Sequence, residues 1–179
     1  MNVLFRKILT GIAMLSALPF YLIFRIKGIF IGKQRAFAGS SQVVSLFPGI
    51  IGQFLRRGFY VLTLKKCSSL STIDFGTFFP SSNMIIGNHV YIGAYCIISE
   101  CVIEDDVIIG SGVHLANKDM HHFSSLDKPI RLQGGKRQQI RIGKDSWLGN
   151  KAVIMADVGS QCVIGAGSGV VKPVEDRSV

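Results

Sequence analysis

The chain has 179 residues, of which 48% are hydrophobic, and a formal net charge of +9. This length allows one ordinary domain with a core and an appendage, and it is too short for two full domains. The charge lies at one end, because residues 1–66 hold ten Lys or Arg and no acid, whereas residues 67–179 hold ten against eleven acids. We therefore divide the chain into a basic segment, 1–66, and a nearly neutral domain, 67–179.

The basic segment contains an uncharged apolar run over residues 8–24, with two basic residues close to each end. Its 17 residues lie at the lower limit of what spans a hydrocarbon core. Pro19 favours a kink, and positive charge on both flanks favours the cytoplasmic side for both ends. We expect a re-entrant or in-plane membrane segment. A secretory signal is the weaker alternative, since no small-residue cleavage site precedes the next basic residues.

Residues 48–66, PGIIGQFLRRGFYVLTLKK, mix apolar residues with two pairs of basic ones. This pattern predicts a basic amphipathic helix on anionic lipid, at the cytoplasmic face of the inner membrane. The alternative is a helix packed on the domain with a solvated basic face. We expect no nucleic-acid partner, because the aromatic residues lie within apolar runs and not among the basic ones as stacking platforms.

The neutral domain repeats itself with a step of about six residues. An aliphatic residue recurs in one phase, and glycine usually follows it. The aliphatic positions are Ile86, Ile92, Ile98, Ile103, Ile109, Leu115, Ile142, Leu148, Ile154, Ile164 and Val170. This period fits neither a helix nor a single strand, but it suits short parallel strands separated by corners, with the aliphatic residues stacked inside. The sequence therefore predicts a solenoid of parallel strands.

Three of the four cysteines occupy one shared phase of this repeat. Cys96, Cys101 and Cys162 each stand two places before an inward aliphatic residue, and no C-x-x-C occurs. We interpret them as small residues that fill the core, and not as metal ligands or a disulfide framework. Free thiols are typical of a reducing cytoplasmic environment.

The repeat resembles the hexapeptide-repeat acyltransferases, which include maltose, galactoside, serine and surface-polysaccharide O-acetyltransferases. The resemblance covers residues 72–178 and rests on the tandem IGxxxx repeats, DSWLGNKAVIMADVG, IGAGSGVVKPV, and a histidine-bearing loop followed by DKPIRLQGG. It implies an all-β fold, a left-handed parallel β-helix, here with an N-terminal apolar and basic helical segment. It also implies acetyl-CoA as co-substrate, no metal, and a homotrimer with active sites between subunits. The apolar, basic N-terminus and the QGG element resemble the subset acting in polysaccharide or lipid-linked sugar assembly.

The repeat is interrupted between Leu115 and Ile142, which predicts an inserted loop over residues 116–141 with NKDMHHF at its root. Polar residues gathered where a rigid scaffold releases a loop are typical of functional sites. A neutral imidazole there can accept the proton of a hydroxyl that attacks an acyl thioester. The resemblance implies the same role, and His121 matches the family pattern better because one variable residue and then an apolar one follow it. His122 remains the second candidate.

Other polar residues of this loop are candidates for the acceptor site. Asn117 and Asp119 are candidates to hold the acceptor or orient the imidazole. Gln133, at the start of QGG, either shapes the acceptor pocket or turns the loop.

The coenzyme site follows from the resemblance. A pantetheine arm would lie along the coils, where residues matter by being small. These are Gly149, Ala152, Ala166 and Gly167. Trp147 would form a wall of the site or simply pack, and Lys172 would meet a coenzyme phosphate. The motif around Lys172 departs from the family pattern, because Gly169 and Val171 replace the usual Val and Thr.

We expect a CoA-dependent O-acyltransferase, most simply an O-acetyltransferase, that modifies a sugar hydroxyl of a cell-surface polysaccharide or a lipid-linked glycan. Three alternatives stay open. The chain is a catalytically silent membrane scaffold, or a zinc lyase on the same fold, or a transferase with an amine acceptor. A zinc lyase of this fold needs three histidines as metal ligands. The histidines of this chain are poorly spaced for that role; they are His89, His114 and the pair His121 and His122.

Overall fold

The computed structural model describes residues 3–116, 121–136 and 138–179. Its first part consists of three helices, α1 (Val3–Ile31), α2 (Lys33–Ser45) and α3 (Gly49–Thr63). Gly32 separates α1 from α2. Its backbone φ is 82°, a value that residues other than glycine rarely adopt. Pro48 precedes α3, where its missing N–H costs no helical hydrogen bond.

Short strands separated by turns follow the helices. They are β1 (Lys66–Cys67), β2 (Thr72–Ile73), β3 (Ile85–Ile86), β4 (Tyr91–Ile92), β5 (Ile97–Ile98), β6 (Cys101–Ile103), β7 (Ile108–Ile109), β8 (His114–Leu115), β9 (Ile140–Ile142), β10 (Trp147–Leu148), β11 (Val153–Ile154), β12 (Val163–Ile164) and β13 (Gly169–Val170). A 3₁₀ turn, Ile130–Leu132, lies between β8 and β9.

The strands form three parallel sheets, which we call A, B and C. Sheet A has the order β1-β3-β6-β9, sheet B β12-β10-β7-β4-β2, and sheet C β13-β11-β8-β5. From β3 to β11 successive strands visit A, B and C in turn, one strand of each sheet per coil. In the first coil Phe78 takes the sheet C position as an isolated bridge to Ile97, and in the last coil Val158 takes the sheet A position as a bridge to Ile142. The inward residues stack in register, for example Ile92, Ile109, Leu148 and Ile164 in sheet B. The predicted parallel β-helix is confirmed, and its hexapeptide repeats fit the left-handed form.

One part of the fold prediction is wrong in its strict form, because the chain is not all-β. The helical segment occupies residues 3–63 and is joined to the β-helix by a continuous core. Tyr60 of α3 packs on Phe79 of the first coil, with 4.4 Å between the ring centroids. Helical and β parts therefore share one apolar interior.

The cysteines fit the interpretation from the repeat. Cys96, Cys101 and Cys162 are buried in the interior, and all four cysteines are free thiols. Burial raises the pKa of the Cys101 thiol, because the thiolate would lose its hydration there. These thiols act as apolar core residues.

The helix α3 packs on the β-helix, which is the alternative given for residues 48–66. Arg56 differs most from the expectation of a basic outer face, because it is fully buried. Its Nε donates to the carbonyl of Ile73 at 2.9 Å, and its Nη1 donates to the carbonyl of Phe47 at 2.6 Å. Arg56 therefore ties the α2–α3 connection to the first coil.

The helix α1 continues through Pro19 and buries only one side. Gly58 of α3 lies so close to the carbonyl of Ala13 that a Cβ at Gly58 would overlap it. The opposite side, which we call the outer apolar face, is exposed; its residues are Ile8, Ile12, Leu15, Leu18, Leu22, Ile23, Ile26, Ile29 and Phe30. By length and composition alone, residues 8–31 of α1 could cross a membrane.

Candidate functional site

The outward side of sheet B carries a ladder of large apolar residues. Tyr91, Ile108 and Trp147 stand side by side on neighbouring strands, and each is 40–52% exposed. Trp147 therefore points away from the core, where it is available to a ligand or to another chain. The structure places it two residues before the corner that joins sheets B and C.

That corner brings together three of the predicted coenzyme residues. Gly149 lies against the backbone of Ala166 in the next coil, and Gly167 N donates to the carbonyl of Asn150 at 2.8 Å. Gly149 N already donates to the carbonyl of Ile164. The amides of Gly149 and Gly167 are thus engaged between coils and are not free to donate to a ligand.

Ala152 and Lys172 lie apart from this group. The side chain of Ala152 is fully buried in the core, so only its backbone could face a coenzyme. Lys172 is exposed beyond β13, at the corner that joins sheets C and A. The strand β13 thus separates it from Ala166 and Gly167.

The inserted loop leaves the β-helix after β8 and returns at β9, at the same C–A corner. Its returning residues, Gln138 to Ile140, line a cavity of about 200 Å³ together with Val171 and Pro173, the two neighbours of Lys172. The structure therefore brings the loop and the Lys172 corner together, and leaves the B–C corner on the other side of sheet C.

The side chain of Gln133 organises the loop. Its Nε2 donates to the carbonyls of Ser125 at 2.8 Å and Lys128 at 2.7 Å, while its Oε1 accepts from the backbone N–H of Ser125. His122 N donates to the carbonyl of Gly134 at 2.9 Å. Of the two roles given for Gln133, these bonds support turning of the loop.

Both candidate bases have exposed side chains at the root of the loop. The backbone bond of His122 to Gly134 fixes that residue against the QGG turn, and leaves both imidazoles accessible to a substrate. Asn117 and Asp119 lie outside the described residues. The choice between His121 and His122 as the base stays a prediction.

Metal ligation has no candidate site in the described part of the chain. Among residues 3–116, 121–136 and 138–179, no three His, Cys, Asp or Glu side chains come close enough together to hold a metal ion. His89 lies at a corner between sheets A and B with a φ of 56°, and His114 lies on the outside of sheet C.

Two protein-family models match this chain, one on each side of the loop. The bacterial transferase hexapeptide model matches residues 83–117, and the hexapeptide repeat of succinyl-transferase matches residues 139–172. The chain therefore carries hexapeptide repeats on both sides of the loop. No curated protein sequence matches it.

Solved structures share the fold of this hexapeptide-repeat protein at low sequence identity. A hexapeptide-repeat acetyltransferase from Vibrio cholerae is 20% identical with a TM-score of 0.66, over 80% of this chain and 84% of that one. A maltose O-acetyltransferase from Clostridium difficile 630 is 18% identical with a TM-score of 0.60, over 79% and 78%.

A third neighbour is a variant of AntD, an N-acyltransferase from Bacillus cereus, in complex with dTDP and coenzyme A. It is 20% identical with a TM-score of 0.51, over 60% of this chain. The match spans only 62% of the length of AntD. At these identities the three neighbours establish the fold.

Sequence reasoning missed a polar network at the first coil of the hexapeptide-repeat protein. Asp74 accepts hydrogen bonds from Gln53 of α3 and from the hydroxyl of Tyr91 on sheet B. Burial raises the pKa of Asp74, but the bonds from Gln53, from the Phe75 amide and from Tyr91 outweigh it and hold the pKa below its usual range. The repeat period carries no signal for this network, because its partners lie in different elements.

Substitution of Gly149 by alanine is expected to destabilise the β-helix by about 1–3 kcal/mol, because the new Cβ would overpack the corner. That Cβ would lie 2.5 Å from the backbone nitrogen of Ala166, and a backbone atom cannot move aside cheaply. Thermal unfolding of the purified protein measures the change.

Gly169→Ala is the matched control, since a Cβ at Gly169 meets no atom within 4 Å. The control is expected to unfold at the temperature of the parent protein. Equal melting temperatures for the two variants would contradict the close stacking of the corner.

Proposed function

We propose that this protein is a CoA-dependent acyltransferase that O-acetylates a sugar hydroxyl in cell-surface polysaccharide or lipid-linked glycan synthesis. The observation that carries the proposal is the histidine-bearing loop, which leaves a regular hexapeptide β-helix at one corner and is folded on itself by the hydrogen bonds of Gln133. A rigid scaffold that presents exposed histidines on an inserted loop suits proton transfer to and from a bound substrate.

The proposed chemistry is a direct transfer. The imidazole of His121 takes the proton of the acceptor hydroxyl as the hydroxyl oxygen attacks the thioester carbonyl of acetyl-CoA. The C–S bond then breaks, the acetyl group stays on the sugar oxygen, and the imidazolium returns its proton to the sulfur of the coenzyme. Trp147, Gly149, Ala166 and Gly167 line the proposed path of the pantetheine arm.

The structural neighbours support an acyl-CoA donor. Two of them are named as acetyltransferases, and AntD is named in complex with coenzyme A. At the B–C corner of this chain Gly167 leaves room for such an extended arm, because a Cβ there meets no atom within 4 Å, whereas Gly149 is already packed against the next coil.

The proposed assembly is a homotrimer with active sites between subunits. The exposed ladder of Tyr91, Ile108 and Trp147 on sheet B supports it, since contiguous exposed apolar residues on a flat face are typical of an interface. Trp147 of β10 belongs both to this ladder and to the proposed coenzyme wall, so assembly and coenzyme binding would use one face.

The proposed location is the cytoplasmic face of the inner membrane, with the helical segment in the lipid interface. Support comes from the outer apolar face of α1, which is exposed on a helix whose other side packs on α2 and α3. The excess of ten basic residues and no acid over residues 1–66 also favours anionic lipid.

Thiol release from acetyl-CoA tests the proposed function. Detergent-purified protein is offered a panel of nucleotide-linked and lipid-linked sugars, with an amino sugar included to test an amine acceptor. Release that depends on one hydroxyl acceptor is the expected result. Release with the amino sugar alone would replace O-transfer by N-transfer.

Two results of the same assay would favour the other classes. If the protein neither binds the coenzyme nor releases thiol with any acceptor, the result favours the hypothesis of a catalytically silent membrane scaffold. Metal analysis of the purified protein tests the hypothesis of a zinc lyase, because such an enzyme requires stoichiometric zinc.

A further inference from the structure

A cavity of about 410 Å³ opens between the three N-terminal helices, away from the β-helix corners described above. Its lining includes Tyr21, Phe24, Arg25 and Gly28 of α1, Lys33 at the start of α2, and Leu62 near the end of α3. The cavity adjoins the outer apolar face of α1, because Ile29 belongs to both.

The polar side of this cavity is positive. Arg25 and Lys33 are both exposed, and no ion pair with a carboxylate is formed by either within the described residues. No Asp or Glu precedes Asp74 in the sequence, so no acid of the helical segment neutralises them. The helix α2 begins at Lys33 without a side-chain cap, which adds the positive end of its dipole. This side is therefore complementary to an anion.

The remaining wall is apolar and aromatic. Phe24 is almost fully buried and forms edge-to-face contacts with Phe37 and Phe59, so this wall is rigid. Arg25 Nη1 donates to the hydroxyl of Tyr21 at 2.8 Å, which holds the guanidinium over the ring of that tyrosine. A small hydrated anion gains nothing from such a wall, whereas an amphiphile with an anionic head contacts both sides.

We propose that this cavity binds the phosphate headgroup of a membrane phospholipid. The phosphate lies between Arg25 and Lys33, and the start of the acyl chain follows the apolar wall towards the outer apolar face of α1. The proposal rests on the membrane attachment proposed above and on none of the acyl-transfer chemistry. Vesicle binding and thiol release therefore fail independently of each other.

Vesicle flotation of the full chain tests the proposal. Three vesicles are compared: phosphatidylcholine alone, and phosphatidylcholine doped either with phosphatidic acid or with oleic acid to the same surface charge. The parent protein is expected to prefer the phosphatidic acid vesicles. Gly28→Leu fills the cavity without changing any charge, and it should lower binding to these vesicles about thirtyfold, the loss expected when two cations at about 1 kcal/mol each no longer reach a phosphate. Its binding to oleic acid vesicles should not change.

Gly11→Leu is the matched control, because Gly11 lies on the same helix, away from the cavity, and a Cβ there meets no atom within 4 Å. It should bind all three vesicles like the parent. A second pair of variants removes two charges each: Arg25→Gln with Lys33→Gln inside the cavity, and Lys27→Gln with Arg35→Gln outside it. Only the first double variant should lose the preference for phosphatidic acid.

Several outcomes would overturn the proposal. Equal binding by Gly28→Leu and Gly11→Leu, or equal losses by the two double variants, would leave only a general attraction to negative surfaces. Competition by inorganic phosphate at the same concentration as the lipid would assign the cavity to a free anion. Absence of binding to every vesicle would remove the membrane attachment and this site with it, while leaving the transferase assay unaffected.

Discussion

Replacement of His121 by alanine is expected to lower the rate of acyl transfer by about 10²- to 10⁴-fold, the usual contribution of a general base. The hydroxyl of a sugar is a poor nucleophile until its proton is removed, and alanine cannot accept that proton. Binding of acetyl-CoA should not change, because the residues that line the proposed pantetheine path lie on β10 and at the B–C corner, whereas the histidine lies on the loop. Steady-state thiol release and coenzyme titration measure the two quantities separately.

His122→Ala and His89→Ala are the controls for this experiment. Alanine at position 122 keeps the backbone bond to Gly134, so the loop retains that contact. His89 is exposed on a different corner of the β-helix. Loss of turnover in His122→Ala with normal turnover in His121→Ala would move the role to His122. Normal turnover in both variants would contradict histidine as the base.

Substitution of Arg56 by methionine is expected to lower the free energy of unfolding by about 3 kcal/mol. Methionine keeps an unbranched apolar chain, but it leaves the carbonyls of Ile73 and Phe47 without the donors they have in the parent protein. Each unsatisfied buried polar group costs about 1–3 kcal/mol. Burial lowers the pKa of Arg56, and Tyr60 and Asp74 oppose that effect, so the donors remain protonated at neutral pH.

Arg57→Met is the matched control, since it removes the same charge from the next position of α3. In the described structure the Nε of Arg57 has no hydrogen-bond partner, and its guanidinium lies over the ring of Phe54 at 5.3 Å. Its melting temperature should change by much less than that of Arg56→Met. A smaller shift for Arg56→Met than for Arg57→Met would show that the buried bonds contribute little.

The β-helix could be predicted because its physical constraint is periodic. An inward residue must stack on its equivalent one coil later, so residues such as Ile92, Ile109 and Leu148 recur at a fixed step and are visible in the sequence. The position of the loop followed from the interruption of the same step. The resemblance to the hexapeptide-repeat acyltransferases is confirmed by the repeat families that match on both sides of the loop.

The helical segment and the details of the site were less predictable, because they depend on contacts between distant elements. An arginine in a basic amphipathic pattern predicts a solvated or lipid-facing side chain. Arg56 is instead buried, and its guanidinium donates hydrogen bonds to carbonyls of the α2–α3 connection and of β2. Ala152 illustrates the opposite difficulty. Its small size fits a coenzyme path, yet its phase in the repeat already placed the side chain in the core, where the structure has it.

The packing of α3 on the first coil also bears on solubility. The strands β1 and β2 are the outermost members of sheets A and B, and edge strands with free N–H and C=O groups are templates for pairing with other chains. Tyr60 and Leu64 contribute to the buried core that the helical segment shares with this end of the solenoid. A chain shortened to the β-helix alone would lose this end cap, and it would be prone to aggregate through the exposed edge.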